Sequence, residues 1–187
     1  MNIQDGYGMT ALMWGLYEIS DTEQHDENYI AEMKKVLIKM FSQKDINFEL
    51  TDNDECTLLH YAVDTNDLEL VKLCFDDSIK DSVKNNGDSA LIMAVKNESE
   101  TIIKWLLWNG ANPFIKNNRG DTLLSVSFKK QNKNCINICL DHIPISEGSE
   151  QINRLYINAI LNSNFELIKY LIENSNTFRL DINCKDS

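Results

Sequence analysis

The stretch Thr57-Leu58-Leu59-His60-Tyr61-Ala62 decides the fold, because its pattern of a hydroxyl residue, a leucine and a small residue returns along the chain. The pattern recurs after 32 residues and again after 33. The matching residues are Thr57, Leu59 and Ala62, then Ser89, Leu91 and Ala94, then Thr122, Leu124 and Ser127. A fixed period of this size is typical of repeat proteins, whose units are stable only when stacked on neighbours. We therefore expect function on a surface rather than in a cavity.

Two more units continue the period in both directions. They carry Thr10, Leu12 and Gly15 at one end, and Arg154, Tyr156 and Ala159 at the other. With the hydroxyl residue counted as position 0, apolar residues recur at positions 13, 14, 17 and 18, and this spacing predicts one face of an α-helix. Apolar residues at positions 2 and 6, with a small residue at position 5, predict a shorter first helix that a neighbour approaches closely. Each unit is thus predicted to be helix, turn, helix.

Polar, turn-forming runs separate the units, at 51–55, 85–88 and 117–120. Asn and Gly tolerate the positive φ of tight turns, and the Thr or Ser that follows is suited to cap the next helix. The pattern of Thr57 to Ala62 resembles the T-P-L-H-x-A signature of the ankyrin repeats and lacks only its proline. Gly110-Ala111-Asn112-Pro113, followed by Asn117 and Gly120, is similar to the same family. The resemblance implies an all-α solenoid of about five stacked helix-turn-helix repeats with β-hairpin fingers.

One ankyrin-repeat domain is expected over 1–187. The repeats are placed at 2–46 with an insertion near 19–32, and at 47–81, 82–113, 114–146 and 147–180, while 181–187 resembles the start of a truncated sixth repeat. On this basis we expect a piece of a longer protein.

The resemblance also implies that fingers and first helices form a concave surface that binds another protein. Carried onto this chain, the usual contact positions are Tyr7, Met9, Tyr17, Glu18, Asn53, Asp54, Asp64, Thr65, Asn85, Asn86, Asp88, Lys96, Asn97, Asn118, Arg119, Asp121, Lys129 and Lys130. Their character changes from aromatic to acidic to basic along the chain. His60 would by the same likeness bridge the backbones of turns, which is a structural role.

Charge is unevenly distributed along the sequence. Residues 1–100 hold 21 acidic and 8 basic side chains, whereas residues 101–187 hold 8 and 10. The acidic half disfavours nucleic-acid phosphates and favours a partner that is basic near the first two repeats. Alternatively, these charges merely solvate the surface.

Thirteen extra residues in the first unit predict a loop between its two helices, within 19–32. The loop is either a contact, since insertions in repeat proteins often lie on a binding face, or a tolerated surface insertion. A basic cluster around the fourth unit, formed by Lys116, Arg119, Lys129, Lys130 and Lys133, is either an anion site or a solvated face.

Trp108 lies at position 19 of its repeat, where other units carry Asp76, Asp141 and Glu173. It is either an exposed convex contact, suited to self-association, or packs against a neighbouring helix. Cys135, Cys139 and His142 could face one side of a helix as metal ligands, but both cysteines occupy core positions, so we expect no metal.

Several function classes are disfavoured. The chain has 43% apolar and 25% charged residues, typical of a globular domain, and no apolar run long enough to span a bilayer. Five cysteines without a leader sequence favour free thiols and a cytoplasmic location, with a nuclear location as the alternative. No catalytic signature occurs, and no cofactor is expected. We predict a non-catalytic protein-binding scaffold, with a monomer favoured. The alternatives are a regulatory array acting in cis within a larger membrane protein or multidomain enzyme, and a module for homotypic assembly.

Overall fold

The computed structural model describes residues 2–21, 26–43, 45–142, 168–169 and 172–173. Its helices are α1 (Ala11–Ser20), α2 (Glu27–Phe41), α3 (Leu58–Asp64), α4 (Leu68–Cys74), α5 (Ala90–Lys96), α6 (Glu100–Trp108), α7 (Leu123–Lys130) and α8 (Lys133–His142). These eight helices are four helix pairs at the predicted repeat spacing. Nearly all of the predicted fifth repeat, and all of 181–187, lie outside the described residues, although 168–169 and 172–173 are helical.

Two compact units make up the chain, residues 1–123 and residues 124–187. In the first unit, α1, α3 and α5 pack side by side in one row, and each also contacts the helix that follows it, α2, α4 or α6. Helix α4 contacts both α2 and α6, which completes a second row. The second unit contains α8 and all but the first residue of α7.

The predicted apolar positions form the core. Position 2 is occupied by Leu12, Leu59, Leu91 and Leu124, each at most 1% exposed. Burying one such side chain contributes roughly 1.5–3 kcal/mol relative to leaving it exposed. At position 5, a Cβ added to Gly15 would lie 2.5 Å from Cδ2 of Leu37 on α2. The small residue is therefore required by close helix packing, as predicted.

The first helices begin at the predicted caps. The hydroxyl oxygens of Thr10 and Ser89 accept hydrogen bonds from the backbone N–H groups of Met13 and Ile92, both at 3.3 Å. In the second repeat the Thr57 backbone N–H donates to Nδ1 of His60 instead, at 3.0 Å. The bonds satisfy N–H groups that have no partner inside a helix.

The fingers are tight hairpin turns. Each closes with two backbone hydrogen bonds, such as Asp5 N–H to the Met9 carbonyl at 3.1 Å and Gly8 N–H to the Asp5 carbonyl at 3.0 Å. In the part of the chain that the structure describes, their β pairing consists of isolated antiparallel bridges, between Gln4 and Thr10 and between Val83 and Ser89, without extended strands.

The prediction that the insertion in the first repeat forms a loop is largely wrong. Helix α1 is three residues longer than α3, and α2 has 15 residues where α4 has 7. Asp26 caps α2 through a 2.8 Å bond from the Tyr29 N–H, so the helix starts well before its counterpart in the next repeat. Most of the extra residues therefore prolong two helices, because their sequence is helix-compatible and a good cap is present. Residues 22–25 lie outside the described range.

Candidate functional site

Three of the four fingers are built around one acidic or amide side chain at position −5. An Asp5 Oδ1 atom accepts bonds from the backbone N–H groups of Tyr7 and Met9, both at 2.9 Å. Oδ1 of Asp52 accepts the backbone N–H groups at the same two repeat positions, those of Asp54 at 2.9 Å and Cys56 at 2.8 Å. Oδ1 of Asn117 likewise accepts the backbone N–H groups of Arg119 and Asp121, both at 3.0 Å. These bonds fix the turn locally, before any neighbouring finger is considered.

Neighbouring fingers are joined by asparagines at position −4. The Asn53 backbone N–H donates to the Tyr7 carbonyl at 2.9 Å, and the Asn85 N–H to the Asp54 carbonyl at the same distance. Asn118 continues the series, donating from its backbone to Asn86 at 3.0 Å. The side-chain amides add bonds to the preceding finger, at 3.2 Å for Asn53, 3.2 Å for Asn85 and 2.8 Å for Asn118. These residues, predicted as partner contacts, are exposed, but their amides hold the fingers together.

Met9 and Asp88, both predicted as partner contacts, are buried, so those two predictions are wrong. Met9 is 8% exposed and Asp88 is 2% exposed. Both occupy position −1, where the chain turns inward to start a first helix. In these two fingers the side chain faces the molecule, whereas Cys56 and Asp121 at the same position are half-buried.

Asp88 organises the third finger from within. Its carboxylate accepts bonds from the amides of Asn86 at 2.8 Å and Asn117 at 2.9 Å, and it forms an ion pair with Lys96. Desolvation acts to raise the pKa of Asp88, but the bonds from Lys96 and Asn117 outweigh it and hold the pKa below its usual value. Lys84 stands here at position −5, where the other fingers have Asp or Asn. In this finger the Asp88 backbone N–H is donated to Oδ1 of Asn86 at 2.9 Å, and the Asp88 carboxylate binds the amide of the same residue.

Aromatic side chains are exposed on the first finger and first helix. Tyr7 is 69% exposed and Tyr17 is 46% exposed, as expected for contact residues. Sequence reasoning missed Trp14, which is 37% exposed and stacks edge-to-face on Tyr17 with ring centroids 5.8 Å apart. Its indole N–H donates to Oδ2 of Asp5 at 2.8 Å, and this bond is the main reason that the pKa of Asp5 is lowered.

The second repeat copies this arrangement. Tyr61 occupies the position of Trp14, and its hydroxyl donates to Oδ2 of Asp52, the counterpart of Asp5. Burial raises the pKa of the Tyr61 hydroxyl, and the bond to Asp52 acts in the same direction, so the phenol remains a neutral donor. The first two repeats each have an aromatic hydrogen-bond donor nine residues after an aspartate. This shared spacing is the signal that could have revealed Trp14.

The ends of the first helices carry the remaining predicted contacts of the first unit. Asp64 is exposed and accepts a bond from the Asn97 amide at 3.1 Å. Partial burial is the main cause that raises the pKa of the Asp64 carboxyl. Thr65 is half-buried, and its hydroxyl donates to the Ala62 carbonyl at 2.7 Å, so it serves the helix end. Glu18 is half-buried, whereas Asp54 is exposed.

His60 has the structural place that the resemblance implied, since it is buried and the backbone of Ser82 and Asp88 in the next repeat acts on its ring. Its Nδ1 atom accepts the Thr57 backbone N–H, and its buried Nε2 atom makes no hydrogen bond with the described part of the chain. Burial lowers the pKa of His60 to about 4, and the positive charge of Lys84 also lowers it. The backbone of Asp88 and Ser82 acts in the opposite direction and raises the pKa. The ring is therefore neutral at pH 7.

The predicted basic contacts lie on exposed positions. Arg119 is exposed, and its backbone N–H is bound to Asn117. Asp121 is half-buried. Lys129 and Lys130 are exposed at the end of α7, in the second unit. Whether these cations contact a partner stays a prediction.

The two tryptophans of α6 differ. Trp105 is half-buried and contacts Phe75 edge-to-face, with ring centroids 4.9 Å apart. Trp108 is 84% exposed, so the interpretation that it packs against a neighbouring helix is wrong. It is a large apolar side chain presented to solvent at the end of α6.

Cys135 and Cys139 are both fully buried, which confirms their core positions. Burial is the main cause that raises the pKa of the Cys139 thiol to about 12. Neutral buried thiols are poor metal ligands, since thiolate is the form that binds. Within the described ranges, no group of three metal-binding side chains occurs.

Rows of short helices with finger turns at a constant period define an all-α repeat protein. Residues 27–117 and 91–186 match the family description "Ankyrin repeats (3 copies)", so the chain belongs to the ankyrin repeat family. Ankyrin repeats generally bind other proteins and are generally non-catalytic. Over the residues described, no helix is both long and apolar enough to cross a bilayer.

Three relatives illustrate the similarity. The putative ankyrin repeat protein FPV034 of fowlpox virus (strain NVSL) is 28% identical over 118 residues, which are 63% of this chain and 26% of that protein. FPV031, another putative ankyrin repeat protein of that virus, is 37% identical over 99 residues, 52% of this chain and 28% of that protein. The nuclear factor NF-kappa-B p110 subunit of Drosophila melanogaster is 35% identical over 68 residues, 36% of this chain and 7% of that protein. The chain thus spans less than a third of each relative.

Proposed function

We propose that this chain is a non-catalytic scaffold that binds a protein partner through the finger tips and first helices of its first two repeats. The partner segment carries positive charge. The observation that supports this is the exposed strip of Tyr7, Trp14 and Tyr17 beside Asp54 and Asp64. Aromatic side chains are enriched among residues that dominate binding energy, and carboxylates steer a basic partner toward them.

Ion pairing within the chain supports the same choice of surface. Lys34, Lys35, Lys80 and Lys96 are all paired with carboxylates of this chain. In the part of the chain that the structure describes, no ion pair involves Asp54 or Asp64. Those two carboxylates therefore keep their charge available for a partner.

Charge reversal at the strip tests the proposal. Wild-type chain, Asp54→Lys, Asp64→Lys and the control Asp77→Lys are used to capture partners from native lysate at low and high salt. Asp77 is exposed and lies in the turn after α4, so its reversal changes net charge equally without touching the strip. We expect the same partner to be lost from both strip variants and retained by the control. A partner retained by every variant would overturn the proposal.

A regulatory array acting in cis is the second candidate. It is favoured by the coverage of the relatives, since this chain matches only 7–28% of the length of those proteins. An array of this kind binds flanking segments of its own polypeptide more tightly than partners in lysate. Adding those segments as a separate polypeptide and measuring competition with the captured partner would distinguish the two.

Homotypic assembly is the third candidate, and the exposure of Trp108 favours it. Sedimentation of the chain over a range of concentrations would then show a rising mass that Trp108→Ala abolishes. A constant monomer mass would eliminate this candidate and agree with the monomer we favour. Cys56, Cys74 and Cys139, which form no disulfide among the described residues, favour a cytoplasmic location in all three cases.

A further inference from the structure

The strip on the first repeat offers exposed ring faces together with the phenol hydroxyls of Tyr7 and Tyr17. Trp14 and Tyr17 lie three residues apart on α1, and their rings meet at 88°. The single N–H of Trp14 is already donated to Asp5 at 2.8 Å. What remains for a ligand is the exposed part of the two rings and the hydroxyl of Tyr17, together with the carboxylate of Asp64 on the neighbouring first helix.

Helix α3 places the matching carboxylate. It packs beside α1, and its residues Tyr61 and Asp64 occupy the repeat positions of Trp14 and Tyr17. The Tyr61 hydroxyl is donated to Asp52, just as the Trp14 N–H is donated to Asp5. The exposed ring of Tyr17 and the exposed carboxylate of Asp64 therefore stand at equivalent positions of neighbouring first helices.

The strip has a defined end on its C-terminal side. In α5, the position of Tyr17 and Asp64 is occupied by Lys96, whose charge is paired with the buried Asp88. The neighbours of Asp64 are the Asn97 amide, which is bound to it, and Lys84, which forms no ion pair with it among the described residues. A cation arriving at Asp64 thus completes the pairing that this carboxylate lacks within the chain.

We propose that this strip binds an arginine side chain of the partner, with the guanidinium group stacked on the ring of Tyr17, next to Trp14, and hydrogen-bonded to Asp64. The inference rests on the proposed function and specifies the chemistry of its ligand. A planar guanidinium stacks on aromatic faces and binds a carboxylate through two parallel N–H groups. Lysine offers a more strongly hydrated point charge that cannot use both surfaces in this way.

Other ligand classes fit less well. A phosphate or acidic peptide would meet the charges of Asp54 and Asp64 and be repelled. A purely apolar segment would cover Asp64 without supplying a cation, which leaves a desolvated charge without a partner.

Two labelled peptides of equal charge provide the test. Each has four basic residues spaced by Gly and Ser, arginines in one and lysines in the other, and binding to the full chain is followed by fluorescence anisotropy. We expect the arginine peptide to bind about fivefold more tightly, as a partly desolvated cation–π contact implies. Tyr17→Ala should abolish this preference, Tyr17→Phe should keep it, and Asp64→Asn should weaken both peptides.

Trp108→Ala is the matched control, because it removes an exposed ring outside the strip and should leave binding unchanged. Circular dichroism checks that each variant is folded. Equal affinity for the two peptides, with no effect of Tyr17→Ala, would overturn the arginine site while leaving a basic partner intact. If neither peptide binds, the arginine site is refuted, and the charge-reversal capture decides the proposed function separately.

Discussion

Glu55 occupies a backbone position that three other fingers give to glycine. Its φ is 60°, and the residues at the same repeat position, Gly8, Gly87 and Gly120, have φ of 77°, 79° and 77°. The left-handed region costs a residue with a Cβ roughly 1–2 kcal/mol, whereas glycine adopts it freely. The second finger therefore contains local strain that its neighbours avoid.

Replacing this residue relieves the strain. We expect Glu55→Gly to raise the free energy of unfolding by about 1 kcal/mol, the gain being reduced by the greater freedom of glycine in the unfolded chain. Urea denaturation measures the change. Glu55→Ala removes the charge but keeps the Cβ, so a gain of the same size in that variant would show that backbone strain is not the cause.

His60 predicts a dependence of stability on pH. Its pKa is about 4 in the folded state, below the ordinary value of 6.5, because the ring is buried. Between these values the unfolded chain binds the extra proton, so stability falls as pH falls. We expect a loss of about 2 kcal/mol from pH 7 to pH 5.

Denaturation at several pH values, compared with His60→Asn, isolates this contribution. Asparagine can still accept the Thr57 N–H but does not titrate. His25 and His142 are common to both proteins and cancel in the comparison. Parallel pH profiles for the two proteins would contradict the assignment.

At the scale of elements, the prolonged α2 is bound to the start of α4 by Lys34. Its ammonium group contacts Asp67 and Glu69, each at 2.7 Å, and the Lys34 side chain is 28% exposed. The hydrogen bond to Asp67 is the main cause that raises the pKa of Lys34. Asp67 also caps α4, because its Oδ1 accepts the backbone N–H groups of Glu69 and Leu70. One cation thus joins two neighbouring repeats at a helix end.

We expect Lys34→Met to lower the free energy of unfolding by about 1 kcal/mol, since two carboxylates lose a partly buried cation. Lys35→Met is the matched control, because the Lys35–Glu32 pair is 69% and 72% exposed and should contribute less than about 0.5 kcal/mol. Thermal unfolding of both variants makes the comparison. Equal losses would mean that the bridge between repeats has no special role.

For the whole molecule, the sequence's uneven charge has a kinetic consequence. The first 100 residues carry an excess of 13 negative charges, which attracts a basic partner before contact. We expect the association rate of the arginine peptide to fall roughly tenfold between 20 and 200 mM salt, with a smaller change in the dissociation rate. Stopped-flow anisotropy measures both. A rate that does not depend on salt would show that these charges only solvate the surface.

The exposure of most residues of the candidate site could be predicted from their repeat positions, but that of Trp14 could not. Tyr7, Tyr17, Asp54 and Asp64 were placed on the surface by their repeat positions, because exposure there follows from the helix and finger geometry. Trp14 was missed because its position holds Met93 or Val126 in other repeats, both nearly buried. The exposure of a ring at such a position depends on what lies beside it.

The sequence by itself determined the period, the helix pairs, their caps and the small residue at position 5, because these depend on local spacing and on one close helix approach. Only the tertiary structure decided that Met9 and Asp88 are buried, that the finger asparagines bind the preceding finger, and that Trp108 is exposed. The physical reason is that burial and hydrogen bonding depend in large part on residues of the neighbouring repeats, which are distant in the sequence. The same repeat position can therefore hold a core residue in one finger and a half-exposed one in the next.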